Sequence, residues 1–215
     1  MLISLGTRLV LTLPVLLAAL SASAAAAQDV SPSQAHVGHV ADGFRGTPDG
    51  VGLLPAAMVE AEVAAQHAAL AAVDPSDLAS VQRHVAHVQH ALVAESQERG
   101  PGKGYGLIRA AEGVVRHIEL AAGSEGASDG VVNHANHVAT SARNTLERAR
   151  RMMEIASAIS EIEGGDATEL VAELAELSSM LIPGHDADGD GRIGWQEGEG
   201  GLEQARIHLG LLKRG

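Results

Sequence analysis

The sequence predicts an all-α fold: a helical bundle of four to five helices followed by a C-terminal loop rich in Asp and Gly. Three observations carry this. Hydrophobic residues make up 46% of the 215 positions, yet there is only one Phe, one Tyr and one Trp. A core of Ala, Val and Leu favours helices over sheets. Apolar residues also recur at helical spacing through several successive stretches. The Gly- and Asp-rich segments between those stretches are short, as connections between antiparallel neighbours are.

Residues 1–27 read as a secretory signal peptide. Arg8 precedes an apolar run from Leu9 to Leu20, and Ala25-Ala26-Ala27 before Gln28 fits the small-residue cleavage rule. That run is shorter than the roughly 20 residues of a bilayer-spanning helix. An exported protein, periplasmic or secreted, with no membrane span in the mature chain is expected. Residues 28–54, rich in Gly, Pro, Asp and Ser, read as an irregular segment with a short helix near Ala35–Ala41.

A His-rich helical bundle is expected over 55–165. Pro55 opens its first helix, with Val59, Val63, His67 and Leu70 on the core stripe. Asp74-Pro75 reads as an N-cap with Pro at the first helical position, starting a second helix. Its stripe is Val81, Val85, Val88 and Leu92. After the loop Gly100–Gly104, a third helix runs from Tyr105 to Ala122, with Leu107, Val114 and Ile118 inward. A long helix follows from Ser128 to Glu163 and stops at Gly164-Gly165. In 166–215, a helix from Asp166 to Ile182 precedes a Gly/Asp-rich turn and a weak terminal helix.

Composition excludes several function classes. With no Cys there are no disulfides, thiol nucleophiles, thiolate zinc sites or covalently attached haem. A net charge of −12 argues against nucleic acid as a partner, and so few aromatic residues provide no base-stacking platform. No nucleophile elbow, phosphate loop, dinucleotide fingerprint or His-Glu-x-x-His appears. No catalytic residue is assigned, and an enzyme is not the expected reading.

The segment Asp186-Ala187-Asp188-Gly189-Asp190-Gly191-Arg192-Ile193-Gly194-Trp195-Gln196-Glu197 has three carboxylates at alternating positions, a Gly for a sharp turn and a closing Glu. It resembles the twelve-residue loop of the EF-hand calcium-binding family. The resemblance covers about 40 residues. It implies calcium held by Asp186, Asp188 and Asp190, the backbone carbonyl of Arg192 and the carboxylate of Glu197. No second such loop occurs in the chain, so a structural calcium site is expected rather than an opening pair.

Eleven His residues remain. His36-Val37-Gly38-His39-Val40, His84-Val85-Ala86-His87-Val88 and His134-Ala135-Asn136-His137-Val138 are three copies of His-x-x-His-Val. Residues at i and i+3 share one side of a helix, about 5–6 Å apart at Cβ. Two imidazoles so placed suit zinc, copper, nickel or iron. At 100° per residue, His84 lies about 80° and His87 about 140° from the centre of the apolar stripe. His134 and His137 have the same offsets, and His117 takes the His84 position in its own helix. The candidate ligands are therefore His84, His87, His134, His137, His36, His39, His67 and His117. His90, His185 and His208 read as capped or solvent-touching residues. The function expected is an exported calcium-binding protein whose His-rich body binds a transition metal. Two alternatives stand beside it: a haem-binding (haem b) or redox metalloprotein, and a calcium-stabilised structural or partner-binding module.

Overall fold

The computed structural model describes residues 30–214, and the expected signal peptide lies outside the described residues. Seven α-helices occur among the described residues: α1 (Pro32–Ala41), α2 (Leu53–Ala71), α3 (Leu78–Leu92), α4 (Leu107–Gly123), α5 (Asp129–Ser160), α6 (Thr168–Ser179) and α7 (Leu202–Leu212). The all-α reading holds. Helices α2 to α5 fill the span expected for the His-rich bundle, α6 and α7 are the two helices expected in 166–215, and α1 precedes them. No described helix is long and apolar enough to cross a membrane.

Local chemistry sets several boundaries. Ser31 forms a capping box with Gln34, and Pro32 sits in the first turn, so the short helix expected near Ala35–Ala41 starts earlier and spans ten residues. The Asp74-Pro75 start is corrected. Asp74 accepts from the amide and hydroxyl of Ser76 in a turn, and Asp77 caps α3 through the amide of Ser80. Two acidic caps three residues apart compete here. Pro75 fits the turn, so the second cap starts the helix. Ser128 caps α5 through Val131.

At 32 residues, α5 runs about 48 Å. It packs against α3, α4, α6 and α7, while α2 packs against α3, α4 and α6, and α1 lies on α4 and α2. One continuous core reaches from Val37 to Leu212.

The stripe assigned to α2 is a second correction. Ala57, Ala61, Ala64, Ala68 and Ala71 are buried, whereas Val59, Val63 and His67 are half-buried and Leu70 is exposed. A face of methyl groups lets neighbouring backbones approach closely, so the bulkier residues are left at the edge.

The loop before α4 is pinned from inside. Glu60 of α2 is fully buried, and its Oε1 accepts from the amides of Lys103 (3.2 Å), Tyr105 (2.9 Å) and Gly106 (3.4 Å). Gly102 has φ +101°, and a Cβ there would lie 2.3 Å from Glu60 Oε2, so the turn admits only glycine.

Candidate metal centres

Nine of the eleven His residues converge in three triads: His36, His39 and His117; His67, His84 and His87; His134, His137 and His208. In each, a His-x-x-His pair on one helix meets a single His from another. The pairs lie on α1, α3 and α5, and their partners on α4, α2 and α7.

The backbone explains the placement. Every one of the nine is followed by a buried apolar residue: Val37, Val40, Ala68, Val85, Val88, Ile118, Ala135, Val138 and Leu209. With that residue anchored in the core, the preceding position is rotated 100° away. The imidazole therefore stands at the edge of the apolar face, half-buried, where two helices meet.

The three triads share one internal geometry, with Nδ1 atoms facing inward. His117 Nδ1 lies 3.0 Å from that of His36 and 3.3 Å from that of His39. His67 Nδ1 lies 3.1 Å from His84 and 3.3 Å from His87. His208 Nδ1 lies 3.1 Å from His134 and 3.2 Å from His137. A ring nitrogen carrying one proton can donate to only one of its two neighbours. A single cation accepts all three lone pairs. Around a tetrahedral ion with metal–nitrogen bonds of about 2.0–2.1 Å, ligand nitrogens stand about 3.3 Å apart. In each triad both distances from the single His to the pair have that spacing, and all three ligand nitrogens lie within 4.8 Å of one another.

Burial favours the neutral imidazole, the form that ligates, at five of the nine positions. Burial pushes His208 down to about 4, with His137 and His134 adding to the effect. His67, His84, His117 and His137 are also lowered, each chiefly by burial, then by neighbouring His or Arg side chains. The sign follows. In the unfolded chain these groups titrate near the ordinary imidazole value of 6.5, while in the folded protein they resist protonation. Above pH 6.5 both states are neutral there. As pH falls from about 6.5 towards 4, the unfolded state takes up more protons and the metal-free fold loses stability. Urea unfolding of metal-free protein should show a lower midpoint at pH 5 than at pH 7.5. His208→Gln should reduce that difference, and equal midpoints in the unsubstituted protein would contradict the assignment.

Comparison with protein-family models, curated proteins and solved structures gives no match. The geometry therefore stands on its own.

All eight His candidates read from the sequence enter triads. His208 enters one as well, which corrects its reading as a capped or solvent-touching residue. A signal for it exists: the three single partners each precede a Leu by three residues, as His67–Leu70, His117–Leu120 and His208–Leu211. His90 is corrected too. Its ring is 8% exposed and packs on Gly100, and its Nδ1 has no partner. His185 is exposed.

Surroundings differ where the inner geometry does not. The Phe44 ring lies edge-on to His39 and His117, at 5.5 and 5.2 Å between centroids. The Trp195 ring stacks on His137 at 3.9 Å and 22°. Tyr105, the remaining aromatic residue, lies under the Arg109 guanidinium. The triad of His67, His84 and His87 has no such ring against it among the described residues.

The acidic loop gathers Asp186, Asp188 and Asp190, with ligand oxygens within 4.8 Å of one another. Gly189 and Gly191 amides donate to Asp186, the Asp190 amide to Asp188 and the Arg192 amide to Asp190. Glu197 is exposed and is not part of this group. The Glu turned inward is Glu199, which accepts from Gly194. The helices also stand back from the loop: α6 ends at Ser179 and α7 begins at Leu202, with a Gly184–Gly200 bridge closing the base. Arg148 of α5 secures that base, donating to the carbonyls of Met180, Gly198, Glu199 and Gly200.

Proposed function

We propose that this chain is an exported metal-binding protein that takes one transition-metal ion in each of three His triads and a calcium ion in the loop 186–197. The observation that carries the reading is the repetition. Three separate pairs of helices bring three Nδ1 atoms to the same spacing, which a chance cluster of surface His residues would not do three times.

Imidazole donors without thiolate or carboxylate suit zinc, copper, nickel or iron. We take zinc as the reference ion. It has no geometric preference of its own and accepts three protein ligands, leaving a fourth position to water or another donor. The haem alternative is disfavoured by the distances. Bis-imidazole haem needs two rings facing each other across a flat macrocycle, whereas these nitrogens nearly touch. For calcium, Asp186, Asp188 and Asp190 supply hard oxygen donors, with the Arg192 carbonyl and Glu197 completing the set that the EF-hand resemblance implies.

Equilibrium dialysis of the full chain against zinc should find three tightly bound equivalents. Calorimetry with calcium in the zinc-loaded protein should find one more, removed by Glu197→Gln. Fewer than three zinc equivalents would refute the three-site reading. Calcium binding that Glu197→Gln leaves unchanged would refute the ligand set.

A further inference from the structure

Three sites with one inner geometry should have similar intrinsic affinity, but they do not have the same access. Access is set by what lies over the ligand rings. The chain has one Phe, one Tyr and one Trp. Two of these three rings lie on His triads. Phe44 touches both helices of its triad, against His39 of α1 and His117 of α4. Trp195 covers one face of His137.

Neither side has a counterpart at the remaining triad. His67, His84 and His87 touch only one another among aromatic rings. This triad also differs in chain topology. His67 and His84 are 17 residues apart, on helices joined by the turn Ala72–Asp77, whereas the other triads join residues 71 to 81 positions apart. The ligands of this hairpin can therefore be re-formed locally after an ion leaves.

We propose that the triad of His67, His84 and His87 is the port through which the protein exchanges transition metal with external chelating ligands, while the other two triads hold their ions behind aromatic covers. The inference rests on the metal-binding reading above. An aromatic ring packed against ligand imidazoles, edge-on for Phe44 and stacked for Trp195, crowds the approach of an incoming donor and slows ligand substitution. The open triad meets such a donor directly at its fourth coordination position. A hydrophobic shell around a metal site acts on the metal in this way, by controlling solvent access.

The test is the rate at which the zinc-loaded full chain surrenders its metal to an excess of a chromophoric pyridylazo chelator in stopped flow. One equivalent should transfer in a fast phase and two in phases about tenfold or more slower. The double variant His84→Gln/His87→Gln should lose the fast equivalent and retain the two slow ones. Phe44→Ala and Trp195→Ala should each move one slow equivalent into the fast phase without changing the number bound. A single rate for all three equivalents would overturn the proposal. So would a fast phase that survives the His84/His87 variant, or covers whose removal leaves the slow phases unchanged. Failure to bind zinc at equilibrium would be seen before any rate is measured, and would refute the metal-binding reading itself.

Discussion

Replacing His208 with Gln should remove one of the three bound zinc equivalents and leave two. The substituted position contributes the Nδ1 that both His134 and His137 approach, at 3.1 and 3.2 Å. Without it the α5 pair has two nitrogens and two positions open to water. Loss of an outer-shell partner alone typically costs 10–100-fold in affinity, and loss of a ligand from a set of three should cost on the order of 100-fold or more. The only Trp reports on the same site, because Trp195 stacks on His137. A titration followed by tryptophan emission should therefore show its transition displaced to much higher zinc in the variant. Three equivalents retained at unchanged affinity would show that His208 is not a ligand. The same substitution at His67 or His117 should remove one equivalent each and leave the tryptophan transition in place.

The second large effect is on stability. Glu60→Ala should destabilise the metal-free protein by about 3–5 kcal/mol, since two buried amides and one part-buried amide lose their acceptor at roughly 1–3 kcal/mol each. The donors are Lys103, Tyr105 and Gly106, immediately before the first turn of α4. α4 has no side-chain cap from its own N-cap residue, Gly106, so Glu60 is the group that organises its start. Glu60→Gln preserves an oxygen at the Oε1 position and should recover most of the loss. A domain of ordinary stability, about 5–15 kcal/mol, would survive the Ala variant only narrowly. Chemical denaturation of the three proteins measures this directly. A loss below about 1 kcal/mol for Glu60→Ala would mean that water replaces the carboxylate at those amides.

Much of the site was legible because helices convert sequence spacing into direction. His-x-x-His-Val fixes both the separation of the two rings and their angle from the buried Val, so the sequence alone places the three pairs. Their partners were harder. His67 and His117 were recognised as candidates on their own helices, but nothing in the spacing states that α2 lies beside α3 or α1 beside α4. His208 stands alone on a short helix, where a Leu three residues later is a fainter signal than a His-x-x-His pair. Its meaning comes from packing against α5, some seventy residues earlier.

The fold shows the same division. α4, α5 and α6 were readable from the spacing of Leu, Val and Ile, with ends shifted by one to three residues. The face of α2 was misread because its packing surface is Ala, which hydropathy ranks below the Val and Leu at its edges. The buried role of Glu60 had no local signal, since its partners are backbone amides more than forty residues later.

The absence of cysteine described at the outset has a consequence for how the chain is held together. With the metal-binding reading proposed above, each ion in a triad would tie two helices across the sequence. His39 joins His117 over 78 residues, and His137 joins His208 over 71. Closing loops of that size in the unfolded chain is entropically costly, and a bond present only in the folded state favours that state in proportion to ligand supply. On the proposed function, the triads would act as reversible staples in place of disulfides. Such staples would be insensitive to reductant but released by a chelator, so the mechanical integrity of the bundle would follow the metal concentration of its surroundings.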